Sequence, residues 1–322
     1  MKLDIEYFIK KWHTASITSF IKLSSNYLIS IFVVILLYYL IGACVINDIE
    51  DDIEFSSINQ TKGGSYAVSA TVTLINREVD THFWTPNDPF FYPSALLDNM
   101  LNYQQGIIYA LSRFTIEMAE QIGRTRGSSE VDADLDKAAG LLKYPGNVWI
   151  FDLSTSFLPT PPSETQYRAA SKALRSYNSR LASSKAIFER RSDNLISTLD
   201  RIAGDLGSAS ATSDKYITNS HPLLVDTKVD DIFYGVKGRL HGYYVLLHEL
   251  GRDFNKVIND RQLMPAWEQM MKSLNQASIL RPIVVMNNSP DSIYFPNHLA
   301  VQGFYLLRAR TQLREITNIL MK

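Results

Sequence analysis

The sequence predicts a mostly α-helical protein: an N-terminal transmembrane helix, then a multi-helix extracytoplasmic domain with a long helix around 163–206. Three observations carry this: one long charge-free apolar run, a series of helical periodicities separated by Pro- and Gly-rich breaks, and an apolar row repeating every seven residues.

The apolar run occupies residues 23–47 (LSSNYLISIFVVILLYYLIGACVIN) and contains no charged side chain. Its centre, 27–46, makes a helix of about 30 Å, the thickness of a bilayer's hydrocarbon core. Lys2, Lys10, Lys11 and Lys22 precede it against Asp4 and Glu6, whereas Asp48, Glu50, Asp51, Asp52 and Glu54 follow with no lysine or arginine among them. That asymmetry predicts a cytoplasmic segment 1–26, a transmembrane anchor 27–46 and a main domain on the outer side of the membrane. Ile41-Gly42-Ala43-Cys44 has the form of a lipoprotein cleavage box. The segment before the apolar run is long for a cleaved signal, however, and the run continues past the cysteine, so an uncleaved anchor is expected.

Residues 47–64 are acidic and end in Gly63-Gly64, which reads as a linker to a domain over 65–322. Ser65 can cap a helix through Val68, Val72, Ile75 and Val79, although the β-branched content of 65–79 also suits a strand. The segment THFWTPNDPFFYP is irregular because of its three prolines. Helical patterns follow from Ser94 to about Ile122, and from Ser129 as a cap through SEVDADLDKAAGLL. VWIFD reads as extended, and Ser163 with Gln166 has capping-box spacing. Tyr167, Leu174, Leu181, Phe188, Leu195 and Ile202 then recur at intervals of seven, with GSASATSD expected to end that helix. Such a stripe packs on the body of the domain or on a partner, making Leu181, Phe188 and Leu195 candidate partner contacts. Helical runs over 229–258, 263–278 and from an Asn297 cap to near Lys322 complete the domain.

Familiar chemistries are missing. There is no phosphate-binding glycine loop followed by Lys and Ser/Thr, no G-x-S-x-G elbow and no Cys-x-x-Cys. His248-Glu249 lacks the second histidine of a zinc protease, and His241 lies two turns away, about 10 Å, so packed or surface histidines are expected. No catalytic residue, metal ligand or cofactor is therefore expected. A net charge of −1 argues against nucleic acid as a partner. Partners are expected to be the lipid bilayer, through 27–46, and envelope proteins. The runner-up is a periplasmic glycan- or peptide-binding or hydrolysing module over 84–98. There Trp84 and Phe91 would stack on a ligand, and Asp88 and Asp98 would supply paired carboxylates. In the plainer reading Asn87-Asp88-Pro89 is a turn, Asp98 opens a helix and the aromatics anchor a loop.

PFFYPSALLDNMLNYQQGIIYALSR and IYFPNHLAVQGFYLLRAR share an aromatic before proline, Gln-Gly and a leucine run to arginine. Two proline-opened helices crossing near Gly106 and Gly303 would explain the echo. Three further runs, LINREVDTHFWTPNDPFFYPSALLDNM, SRFTIEMAEQIGRTRGSSEVDADLDKAAGLLKYPG and SPDSIYFPNHLAVQGFYLLRARTQLREIT, resemble the bacterial domain-of-unknown-function 2333 family. The resemblance implies one N-terminal span and a large helical domain, and carries no catalytic or binding residue.

Overall fold

The structure is a computed structural model that describes residues 2–51, 60–96, 98–123, 130–151, 157–219, 227–289, 292, 293 and 295–322. Ten α-helices and no strand occur among the described residues: α1 (Lys2–Ile46), α2 (Tyr66–Asn76), α3 (Asn99–Glu117), α4 (Ala133–Leu142), α5 (Ser163–Ala182), α6 (Ser192–Asn219), α7 (Thr227–Asp253), α8 (Asn255–Asp260), α9 (Met264–Ser278) and α10 (His298–Leu320).

Helix α2 forms the centre. Every residue from Ala67 to Ile75 is buried, which resolves 65–79 as helix despite its β-branched content. Burial on all sides overrides the weak propensity of Val, Thr and Ile. Ser65 accepts from the Val68 amide as N-cap, and Asp253, at the end of α7, accepts from Ser65 Oγ at 2.7 Å and the Ala67 amide at 2.9 Å. A carboxylate at this helix start complements its exposed amides and dipole. Helices α3, α5 and α7 pack around α2, while α10 lies against α6, α7 and α9.

The closest crossing is α3 on α7. A Cβ at Gly106 would overlap the Gly235 carbonyl oxygen and stand 2.9 Å from the Arg239 amide, and one at Gly238 would overlap the Tyr103 carbonyl oxygen. Gly106 therefore meets α7, not α10 as its echo of Gly303 suggested. A Cβ at Gly303 would meet nothing within 4 Å. The echo marks two helices that both pack on α7, as when Gln302 Nε2 donates to the Phe233 carbonyl at 3.2 Å.

The long helix expected around 163–206 is two helices. Helix α5 stops at Ala182, Ser184 takes φ +58°, and the chain turns back before α6 starts at Ser192. The turn is held by the Tyr177 hydroxyl, which donates to the Ile187 carbonyl, and by the Glu189 amide, which donates to the Ile122 carbonyl at 2.9 Å. The seven-residue row persists across the turn because both helices face the same core: Leu174 and Leu195 are fully buried, and Phe188 packs on Phe254. GSASATSD does not end α6. Thr212 and Ser213 hydroxyls donate to carbonyls one turn back, which keeps small polar residues helical to Asn219.

Other starts differ by a few residues. Asp132 caps α4 through the amides of Asp134 and Leu135, whereas Ser129 lies outside the described residues. Ser163 is the first residue of α5 rather than its cap, its hydroxyl bonded to the Pro145 and Val148 carbonyls. Asn297 does cap α10, accepting from the Ala300 amide at 2.8 Å.

Candidate functional site

After Asn76, α2 widens into one π-helical turn, Arg77–Thr81, closed by the His82 amide donating to the Arg77 carbonyl at 2.9 Å. The extra residue turns both Arg77 and Glu78 inward, where their side chains are wholly buried with Arg77 Nε 2.7 Å from Glu78 Oε1. Arg77 Nη2 lies 3.2 Å from His241 Nε2 on α7. A guanidinium cannot accept, so Nε2 is the acceptor and the His241 proton sits on Nδ1. Burial, followed by the adjacent Arg77 cation, pushes His241 down to about 3 and keeps it neutral.

One turn from His241, Lys237 is also buried, and its ammonium reaches Asp51 at 2.9 Å and the Leu280 carbonyl at 2.7 Å. Arg281 grips the same carboxylate with Nε, at 2.9 Å, and Nη2. Burial opposes ionisation of Asp51, but the hydrogen bonds from Arg281 and Lys237 outweigh it and hold the carboxyl below the ordinary aspartate range. The neighbouring Glu50 accepts from the Tyr103 hydroxyl through its carbonyl at 2.8 Å and meets His82 through its carboxylate at 3.2 Å. The first residues after the apolar helix are thus seated on four side chains: Tyr103 of α3, Lys237 of α7, His82 just after the π turn and Arg281 after α9. Sequence patterning missed this cluster. Its available signals were Arg77-Glu78 placed directly after an apolar helix, and Lys237 and His241 spaced i, i+4 among apolar neighbours.

His82 gives the junction a pH dependence. The Glu78 carboxylate, 3.6 Å from its Nδ1, outweighs burial and raises its pKa above the ordinary histidine value. Stability from this contact is fully present below about pH 6.5 and is lost as pH rises through the raised folded-state pKa. His82→Gln should therefore lower Tm more at pH 6 than at pH 9. Equal losses at both would remove His82 as a titrating contact.

The candidate ligand residues of 84–98 do not form one constellation. Trp84 is buried, donating through Nε1 to the Gly146 carbonyl at 2.8 Å with its ring edge-to-face on Tyr167. Asp88 accepts from Ser94 Oγ at 2.6 Å, and burial, with Glu164 nearby, raises its carboxyl. Asp98 precedes α3 and bears on α7 instead: burial, then Asp98 and Asp231, push Asp230 up to about 6. Phe91 is exposed beside Trp149, with ring centroids 6.1 Å apart. Of the candidate partner contacts, Phe188 and Leu195 are in the chain's own core and Leu181 is packed against it.

These features define an all-α protein with one N-terminal helix, Ser24–Ile46, long and apolar enough to cross a membrane and almost wholly exposed, a property signal sequences share. The chain belongs to the bacterial family described as "uncharacterized protein conserved in bacteria (DUF2333)", whose profile matches residues 26–221 and 218–322. Searches of curated proteins and of solved structures find no match.

Proposed function

We propose that this chain is a single-pass protein of the bacterial inner membrane, N-terminus cytoplasmic and helical domain periplasmic, acting as a non-enzymatic scaffold for envelope proteins. The observation that carries this reading is the seating of Asp51, five residues past the apolar helix, on Lys237 and Arg281. A domain joined by a slack tether samples many heights and orientations. One clamped through a buried carboxylate holds its outer surface in one pose over the membrane, which is what a scaffold requires. The lysines before the apolar run and the acids after it support the orientation.

The test has two arms in intact cells. A cysteine at Lys185 should react with a membrane-impermeant maleimide from outside, and one at Lys11 only after lysis; the reverse pattern would overturn the orientation. In-cell crosslinking of the full chain should capture envelope proteins in stoichiometric yield. That yield should fall in Asp51→Ala/Lys237→Met/Arg281→Ala, which removes the clamp without leaving a buried charge unpaired. No specific protein in the wild-type capture would overturn the scaffold reading.

A further inference from the structure

Two irregular loops lie together, and the first of them touches α1. Asn87 Nδ2 donates to the Val148 carbonyl at 2.9 Å and Trp84 Nε1 to the Gly146 carbonyl, joining residues 83–93 to residues 146–151. The Thr160 amide donates to the Ile150 carbonyl at 2.9 Å and its hydroxyl to the Trp149 carbonyl at 3.0 Å, folding the returning strand of chain back onto the same loop. Their tips carry large apolar side chains into solvent: Phe90 is 84% exposed and Phe157 94%, with Phe91, Phe151 and Leu158 also exposed. Residues 83–96 contain one charged side chain, Asp88, and residues 144–162 one, Asp152. An apolar patch of this kind on a loop marks a surface that meets something apolar.

The position of the patch says what it meets. The Tyr38 and Tyr39 hydroxyls of α1 donate to the Phe91 carbonyl, at 3.3 Å, and the Phe90 carbonyl, at 3.1 Å. A Cβ at Gly42 would overlap the Pro93 ring, so the loop lies flush against the helix. Tyr39 precedes the end of α1 at Ile46 by seven residues, which puts Phe90 about 10 Å back along the helix from that end. Taking α1 as a membrane span, the reading on which this step rests, that level is within the bilayer. Irregular backbone is tolerated there only where protein covers it, and α1 covers this loop on one side, its two tyrosines satisfying the Phe90 and Phe91 carbonyls.

We propose that the loops around Phe90 and Phe157 insert into the lipid leaflet next to α1, giving the domain a second, non-spanning membrane attachment. With the span at one point and the loops at another, the domain cannot swivel about α1, which complements the clamp at Asp51.

The test uses the full-length chain in a Cys44→Ser background, reconstituted into phosphatidylethanolamine–phosphatidylglycerol vesicles. Nitroxide labels are placed at Phe90→Cys, Phe157→Cys, Leu36→Cys in α1 and Lys185→Cys on the remote exposed turn. Collisions with oxygen and with a water-soluble nickel chelate are then compared. The expected result is that labels at 90 and 157 shift toward oxygen as the label at 36 does, while the label at 185 favours the nickel chelate. Aqueous values at 90 and 157 with a lipid value at 36 would overturn the inserted loops and leave the span intact. An aqueous value at 36 would overturn the span and the proposal with it. Labels at 90 and 157 shielded from both reagents would overturn lipid contact in favour of a second copy of the chain covering the patch.

Discussion

Gly238→Ala is expected to lower the unfolding midpoint of the full chain by more than almost any other single-methyl addition. The added carbon would overlap the Tyr103 carbonyl oxygen and lie 2.8 Å from its carbonyl carbon, and both belong to backbone. A side chain can rotate away, but here α3 and α7 must separate along their whole crossing, loosening contacts at Gly106 and Gly242 as well. Overpacking a close-packed interior typically costs about 1–3 kcal/mol, and a backbone clash falls at the upper end. At about 2–4 °C per kcal/mol for a domain of this size, the fall in Tm should be on the order of 10 °C. Gly303→Ala is the matched control. Its Cβ enters open space in the second turn of α10, so Tm should hold or rise slightly from improved helix propensity, by up to about 1 kcal/mol. Equal behaviour of the two variants would mean that the α3–α7 crossing is not as close as drawn. Separating α3 from α7 also moves Tyr103 away from Glu50, so the variant should weaken the seating of the chain that leaves α1.

That crossing shows where sequence patterning succeeds and where it stops. The α class, the apolar N-terminal helix, the Ser65 and Asn297 caps and the apolar face of residues 167–202 were all legible, because each is a local periodicity or a cap. Gly106 was legible as a close-approach position, but its partner was not: spacing within one helix cannot say which other helix supplies Gly235 and Gly238. The turn at Ser184 was hidden for a related reason. A heptad row reports which side faces apolar surroundings, and two helices on either side of a reversal can share that side. The junction was the least legible part. It joins Asp51, Arg77, Tyr103, Lys237 and Arg281 across more than two hundred positions, and each alone reads as an ordinary surface charge or core aromatic. The same holds for Asp88 and Asp98, close in sequence yet differently placed: Asp88 accepts from Ser94, and Asp98 stands near enough to Asp230 to raise its carboxyl.

Glu78→Leu should be the most damaging substitution in the junction. It removes the carboxylate beside Arg77 and leaves the guanidinium wholly buried, facing a His241 ring that is neutral and carries its proton on the far nitrogen. Breaking a buried ion pair at one end destabilises by about 3–5 kcal/mol, because the remaining charge has lost both water and its counter-charge. Glu78 itself is held ionised: burial raises its pKa, but Arg77 and His82 outweigh this and lower it. Its contribution is therefore present above the unfolded-state carboxyl value of about 4.3 and lost as pH falls through the lowered folded-state pKa. The Glu78→Leu variant should thus approach wild type only in acid. Arg77→Met/Glu78→Leu separates the charge pair from the space it fills. With both charges gone and the volume kept, stability should return to within about 1 kcal/mol of wild type, since well-packed apolar replacements of buried pairs are often neutral or better. If the double variant is as unstable as Glu78→Leu, the pair's value lies in its links to His241 and Glu50 rather than in the Arg77–Glu78 contact. If instead it is stable but its label at Phe157→Cys loses lipid contact, the buried charges serve to seat the domain at one angle on α1, which is the role the clamp at Asp51 requires of its neighbours.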